Sequence, residues 1–135
     1  MKPQRIVTNP DPYEPFRLAQ GYRVGDLLFI SGQAAYDESG GIVAPGNFEA
    51  QAERTFANLE RALRAGGSSL RNVVKVTIFL TDMAHFPRIV ELRGRYFSPP
   101  YPADTIVEVR SLYHRDAMIE IEAIAVPDTV TERAA

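Results

Sequence analysis

The sequence contains no cysteine, and histidine occurs only twice among its 135 residues. Without cysteine the chain cannot form a disulfide bond, a thiolate nucleophile or a cysteine-bound zinc or iron–sulfur cluster. His85 and His114 are far apart in the chain and lack the spacing that would place two ligands on one helical face. We therefore expect no metal site and no bound cofactor.

An excess of positive charge and long apolar runs are also missing. Fifteen Lys and Arg residues against 17 Asp and Glu residues give a formal net charge of −2, which provides no basic field to attract phosphates. No stretch reaches the roughly 18 apolar residues of a membrane span, and the first residues lack the apolar core of a signal peptide. The composition predicts a cytoplasmic protein that binds neither nucleic acid nor membranes.

The length and composition are typical of one globular domain that covers residues 1–135. With 45% hydrophobic residues the chain can bury a core, but it is short for two domains. Four of the ten prolines fall within the first 15 residues. They predict an extended arm over residues 1–16, outside the core, with at most a short strand at 5–8. Residues 127–135 are expected to form a polar C-terminal tail.

Alternating and β-branched segments predict the strands. Two short segments flank Gly25-Asp26, which is the pattern of a tight β-hairpin. A later segment is rich in valine and isoleucine and predicts a central strand. The strands are expected over residues 18–24, 27–31, 73–81, 105–112 and 118–126.

Two helices are predicted between these strands. Over residues 49–65 apolar side chains recur every three or four positions, Asn47 can cap the start, and Gly66-Gly67 predicts a left-handed end. The second helix spans residues 84–97, with Asp82 as its cap. Its predicted buried stripe consists of Phe86, Ile89, Val90, Arg93, Tyr96 and Phe97.

The order ββαβαββ predicts an α+β sandwich with two helices on one face of a mixed sheet. Alternation in the last two strands assigns a core set of Thr105, Val107, Val109, Ile119, Ile121, Ala123 and Ala125. The opposite, uncovered face is then assigned Asp104, Ile106, Glu108, Arg110, Glu120, Glu122 and Ile124. Together with Phe79 and Met118, this face is too apolar to remain in water. We expect a self-associated oligomer to cover it.

Several short motifs occur in an unbroken order from about residue 24 to residue 126. They are Ser31-Gly32-Gln33, the segment 74–80 followed by Asp82, Tyr96-Phe97, Tyr101-Pro102-Ala103, Val107-Glu108-Val109 and the segment 119–126. On these motifs the sequence resembles the RidA family, also called YjgF or L-PSP. The resemblance implies a chorismate-mutase-like fold and a homotrimer with a central β-barrel and small-molecule pockets between the subunits.

The resemblance also implies a site. In the deaminase members an Arg directly after the Pro-Ala pair binds the carboxylate of a 2-imino acid, and water hydrolyses the imine to a 2-keto acid and ammonia. Asp104 occupies that position here, and its charge would repel such a substrate. Glu120 is implied to hold the hydrolytic water, and Gly32 to lie with its backbone against the ligand. The other implied ligand-binding positions are Ser31, Val90, Ile106, and Phe16 or Leu18.

Structural interpretations of these residues remain open. Glu108 and Glu122 are expected to be partners of Lys75 at a packed interface, since buried charges need pairing. Glu120 could extend that network, because shifted carboxyl pKa values occur in structural and functional settings alike. The motif Ser31-Gly32-Gln33 could be a polar turn with a close backbone approach.

Asp104 also leaves several roles open. It could bind a cationic or amine ligand, act with Glu120 as an acid–base pair, or form an ion pair with Arg17 or Arg110. Three functions fit the sequence. The first is an enamine or imine hydrolase for a substrate other than a simple imino acid, with Glu120 orienting water. The second is a non-catalytic small-ligand-binding or regulatory trimer, and the third is a ribonuclease, which the charge balance disfavours.

Overall fold

The computed structural model describes residues 1–128, and the rest of the predicted C-terminal tail lies outside this part. This described part contains six strands and two α-helices, α1 (Phe48–Ala65) and α2 (Phe86–Tyr96). The strands are β1 (Gln4–Ile6), β2 (Gly21–Val24), β3 (Leu27–Gln33), β4 (Val73–Leu80), β5 (Ala103–Glu108) and β6 (Ile119–Ala125). Single 3₁₀ turns lie at Glu14–Phe16, Leu70–Asn72 and Met83–His85.

The six strands form one mixed sheet in the order β1-β2-β3-β6-β4-β5. Only the β4–β5 pair is parallel, because α2 provides the crossover between these two strands. Both helices pack on the same face of the sheet and share one hydrophobic core with it. The predicted architecture, two helices on one face of a mixed sheet, is confirmed.

The first helix forms as its periodicity predicts. The Asn47 side chain accepts a hydrogen bond from the Ala50 N–H at 3.0 Å, which satisfies one of the free donors at the helix start. Gly67 follows the helix at a φ of +84°, the left-handed conformation that glycine adopts without strain. The core-facing side chains, all fully buried, are Ala52, Phe56, Leu59 and Leu63.

The second helix is divided and rotated relative to the prediction. Asp82 caps the 3₁₀ turn Met83–His85 rather than α2 itself, which begins at Phe86. Ile89 and Leu92 are its buried residues, whereas Val90 is 52% exposed. The predicted stripe is therefore right for Ile89 and Phe97, which are buried, and wrong for Val90 and for Phe86, which is 40% exposed. The i, i+3 spacing of Ile89 and Leu92 decides which side of this short helix rests on the sheet.

The predicted arm contributes a strand to the sheet. β1 pairs antiparallel with β2, and Ile6 is only 3% exposed within the core. The expectation that residues 1–16 lie outside the core is wrong for this segment. Pro3 directly precedes the strand and Pro10 lies four residues after it, so neither removes a backbone N–H group from the strand itself.

The face assignment is right for β6 and wrong for β5. Ile121 and Ile106 both pair with the fully buried Ile78, so Ile106 faces the helices and packs against the core. Val107 lies on the open face and is 37% exposed. Met118 also packs against the core, whereas Phe79 lies on the open face. Alternation within a strand defines two faces, but only pairing with its neighbour shows which of them is buried.

The open face carries a groove of about 490 Å³ that crosses β2, β3, β6 and β4. Tyr22 and Phe29 line it and are 43% and 44% exposed. Lys75 lies in the same groove as Glu122, but its ammonium group donates to the Thr105 hydroxyl at 3.0 Å.

Glu108 does not take part in this groove. It lies on the helix side of β5, where its carboxylate accepts a hydrogen bond from the Met83 N–H at 2.8 Å. The predicted partnership of Glu108 with Lys75 is therefore wrong. The cause is the inverted face of β5, which turns Glu108 away from the open side of the sheet.

Candidate functional site

A pocket of about 220 Å³ opens where the end of β3 and the start of β6 meet three loops. One loop precedes β2 and contains the 3₁₀ turn Glu14–Phe16, the second joins β3 to α1, and the third joins β5 to β6. The pocket contains one carboxyl group and several aromatic rings. Its lining residues are Pro12, Tyr13, Phe16, Leu18, Gly32, Tyr36, Gly40, Tyr113 and Glu120.

Glu120 and Gly32 are in direct contact across the strand pair. The pairing of β3 with β6 is irregular between Ile30 and Gln33, so Gly32 lies in a bulge. A Cβ atom at Gly32 would lie 2.1 Å from Glu120 Oε2, which is far inside van der Waals contact. Glycine is therefore required here for the carboxyl group to occupy its position.

The environment of Glu120 favours its protonated form. Burial raises the pKa of the Glu120 carboxyl above its usual 4.5, and the negative charge of Glu122 raises this pKa further. The two residues follow each other on the open side of β6. A carboxyl group whose pKa is shifted toward neutral pH can both accept and return a proton during a reaction.

Three tyrosines of the pocket were not predicted. Tyr13 donates a hydrogen bond from its hydroxyl to the Gly32 carbonyl, and its ring packs at a tilt against Tyr36, 5.4 Å between centroids. Burial raises the pKa of both groups, that of Tyr36 to about 12, so they remain protonated donors. Tyr113 meets the Phe16 ring edge-on at 6.2 Å. Tyr13 and Tyr113 lie in loops, where no periodicity marks them.

We expect Tyr13→Phe to destabilise the protein modestly and to loosen the bulge at Gly32. The hydroxyl is the donor that satisfies the Gly32 carbonyl, so its removal should cost about 1 kcal/mol of unfolding free energy. Urea denaturation measures this loss, and Tyr22→Phe, on the exposed groove, is the matched control. Equal stability of Tyr13→Phe and the control would contradict this role for the hydroxyl.

Phe16, Leu18, Gly32 and Glu120 are thus brought together, but the other predicted site residues are not. Ser31 lies in the groove of the open face and donates from its hydroxyl to the Ala19 carbonyl at 2.6 Å. Ile106 packs against the core on the helix side. Asp104 and Val90 line a different pocket, described next.

This second pocket, of about 430 Å³, lies between α2 and the edge strand β5. Asp104 forms a two-point ion pair with Arg93, with Nε–Oδ2 at 2.9 Å and Nη2–Oδ1 at 3.1 Å. Within residues 1–128 the partner of Asp104 is thus Arg93 and not Arg17 or Arg110, and within one protomer Asp104 and Glu120 line separate pockets. The sequence pattern places Arg93 in the predicted buried stripe of the second helix and therefore does not identify its guanidinium as the partner of Asp104.

Neither pocket contains a metal-binding cluster of side chains. Within residues 1–128, no group of three or more His, Asp and Glu side chains is arranged to hold a metal ion. His85 stacks on the Phe48 ring at 3.9 Å, and the His114 ring accepts a hydrogen bond from the Asp116 N–H at 3.0 Å. In the same part of the chain, neither helix is long and apolar enough to cross a membrane.

Comparison with known proteins decides the family. The model of the family described as endoribonuclease L-PSP matches residues 8–127. The chain belongs to the L-PSP family. Its resemblance to RidA and YjgF proteins is confirmed by relatives over most of its length.

Two curated relatives of this L-PSP member illustrate the range of names in the family. It is 40% identical to RutC family protein y4sK of Sinorhizobium fredii, over 88% of this chain and 94% of that protein. It is 38% identical to the 2-iminobutanoate/2-iminopropanoate deaminase of Mus musculus, over 90% of this chain and 89% of that protein. Sequence similarity thus extends to proteins with and without a named activity.

Solved structures of L-PSP members have the same fold. RidA from a Psychrobacter species superposes with a TM-score of 0.82 at 35% identity, covering 91% of this chain and 98% of that one. Yeast Mmf1 superposes with a TM-score of 0.85 at 30% identity, covering 94% and 100%. The sandwich described above is therefore the fold of this family.

Proposed function

We propose that this L-PSP member is an enamine or imine hydrolase that acts as a homotrimer on a substrate without a free carboxylate beside the imine. The observation that carries the proposal is Glu120: a carboxyl group with a raised pKa, in contact with a glycine bulge, inside a small aromatic pocket. Such a group is suited to acid–base work on a bound water molecule. A relative at 38% identity carries the name of an imine deaminase.

In the proposed reaction water adds to the imine carbon while ionised Glu120 accepts one of its protons. The resulting carbinolamine has a new carbon–oxygen bond, and protonated Glu120 gives the proton to its nitrogen. Glu120 then accepts the hydroxyl proton of the carbinolamine and passes it to the nitrogen as the carbon–nitrogen bond breaks, which releases ammonia and leaves a carbonyl group. The aromatic lining limits the access of further water and strengthens the electrostatic interactions of the carboxyl group.

The trimer is part of the proposal because the two pockets are separate within one protomer. Glu120 lines the pocket at the ends of β3 and β6, and Asp104 lines the one at the edge strand β5. We infer that the Glu120 pocket of one subunit faces the Asp104 pocket of the next. The exposed aromatic groove of the open face supports self-association, since monomers rarely leave such a surface in water.

The limit on the substrate rests on Asp104. Its side chain is only 14% exposed, and its carboxylate binds Arg93 through both oxygens. A guanidinium held in this way has its charge neutralised and is a weaker receptor for a second carboxylate. The alternative function is a non-catalytic ligand-binding trimer. The Arg93–Asp104 pair also suits this function, because it can recognise a ligand whether or not the ligand is hydrolysed.

We expect the protein to hydrolyse the imine group of 2-iminobutyrate at least tenfold more slowly than the imine group of the uncharged methyl ester of 2-iminobutyrate, after the buffer rate is subtracted. A tenfold difference corresponds to about 1.4 kcal/mol, which is a modest repulsion between the substrate carboxylate and the carboxylate of Asp104. Both imines can be formed in buffer by base elimination from the N-chloro amines, and product release followed by NMR. Turnover of 2-iminobutyrate as fast as by the mouse deaminase would overturn the substrate assignment. If the protein accelerates the hydrolysis of neither imine, the result favours the ligand-binding alternative.

A further inference from the structure

The Arg93–Asp104 pair is held in place on several sides. Asp104 binds the Nε and Nη2 edge of the guanidinium, and the Phe86 ring lies 5.7 Å from the guanidinium carbon. The side chains of Arg93 and Asp104 are 25% and 14% exposed, so both reach the pocket between α2 and β5. The pair therefore presents fixed polar groups to whatever enters this pocket.

The pair leaves both donors and acceptors unused. Within residues 1–128, Arg93 Nη1 has no hydrogen-bond partner, and each Asp104 oxygen accepts one bond although it has two lone pairs. The pocket thus combines N–H donors with adjacent carboxylate oxygens at zero net charge. Apolar surface borders them, because Val90 and Tyr101 also line the pocket and are 52% and 51% exposed.

We propose that this pocket recognises an uncharged amide-type group on the ligand. The carbonyl oxygen of such a group would accept from Arg93 Nη1, and its N–H would donate to Asp104. A carboxylate offers acceptors only, and it would meet the negative charge of Asp104 at close range. An ester can use the Arg93 donor but offers nothing to Asp104. The pair therefore ranks amide above ester and ester above acid.

This inference deepens the proposed function by naming the substrate class, and it rests on that function only in the choice of ligands. Binding of keto compounds can be measured without turnover. Discrimination without hydrolysis would refute the hydrolase and leave the recognition inference standing. Hydrolysis of the imines without any difference in binding between amide and acid would refute the recognition inference and leave the hydrolase standing.

The test is ligand-observed NMR with 2-oxobutanamide, methyl 2-oxobutanoate and 2-oxobutanoate at pH 7. The full-length protein should bind the amide at least tenfold more tightly than the acid, with the ester between them. In Asp104→Asn the acid should bind more tightly than the amide, because the positive charge of Arg93 is then no longer neutralised and attracts the carboxylate. Glu91→Gln, on the exposed side of the same helix, is the matched control and should leave the order unchanged.

A second variant keeps the proposal testable if Asp104→Asn does not fold. Arg93→Gln removes the charge and the Nη1 donors, so amide binding should fall by at least tenfold while the acid gains nothing. Three outcomes would overturn the inference: equal binding of amide and ester, tighter binding of the acid by the unmodified protein, or no binding of the amide at all.

Discussion

Glu120→Gln is expected to lower the rate of imine hydrolysis by about 10² or more while leaving the protein at least as stable. The amide cannot accept a proton from water, which removes the proposed acid–base step. The raised pKa means that the folded protein disfavours ionised Glu120. Above the folded pKa this ionised form costs stability, and below the unfolded pKa the cost disappears because both states are protonated. The variant should therefore gain stability at neutral pH and lose this gain in acid.

The matched control for this variant is Glu122→Gln, which changes the neighbouring carboxylate on the same side of β6. Its rate at pH 8 should stay within a few fold of the unmodified protein. The measurements are the initial rate with the methyl ester imine and the thermal denaturation midpoint at two pH values. A large loss of stability in Glu120→Gln would instead indicate a structural network, and equal rates would remove Glu120 from the mechanism.

Phe29→Glu is expected to convert the proposed trimer into folded monomers. Phe29 is 44% exposed in the groove of the open face, so the isolated protomer has room for a charged side chain there. At a subunit boundary the same charge would be buried without a partner, which costs several kcal/mol per subunit. Light scattering should report about three times 15.0 kDa for the unmodified protein and one chain mass for the variant.

The control is Ala57→Glu, which places the same charge on the exposed side of α1. It should keep the mass of the unmodified protein. Circular dichroism separates dissociation from unfolding, because the variant monomer should retain its helix and sheet signal. An unmodified protein that is monomeric at micromolar concentration would contradict both the trimer and the shared site.

Local patterns in the sequence predict most of the fold. Helix α1 has its cap, its periodic apolar face and its terminal glycine in sequence order, and all three agree. The buried face of β5 could not be predicted. Alternation within a strand defines two faces, and only the pairing of β5 with β4 shows which of them is covered by the helices. β1 overlaps the short strand allowed at 5–8, but its place in the core could not be predicted, because three residues give no periodic signal, although Ile6 reaches the core.

The site was predictable to the extent that short motifs mark it. Gly32 and Glu120 belong to such motifs, and the structure places them in contact. Tyr13 lies in a proline-rich loop whose path depends on tertiary packing. Asp104 and Arg93 are 11 positions apart, and no local rule pairs a strand residue with a helix residue across the crossover. Only the packing of α2 against β5 brings them together.

The pH dependence of the protein-catalysed rate tests the role of Glu120 most directly. Hydrolysis of the methyl ester imine, after subtraction of the buffer rate, should increase with pH through a midpoint above 4.5, as Glu120 becomes ionised. In Glu122→Gln this midpoint should move to lower pH, because the charge that raises the pKa of Glu120 has been removed. A midpoint that is the same in both proteins, or a rate that does not depend on pH, would contradict Glu120 as the acid–base group.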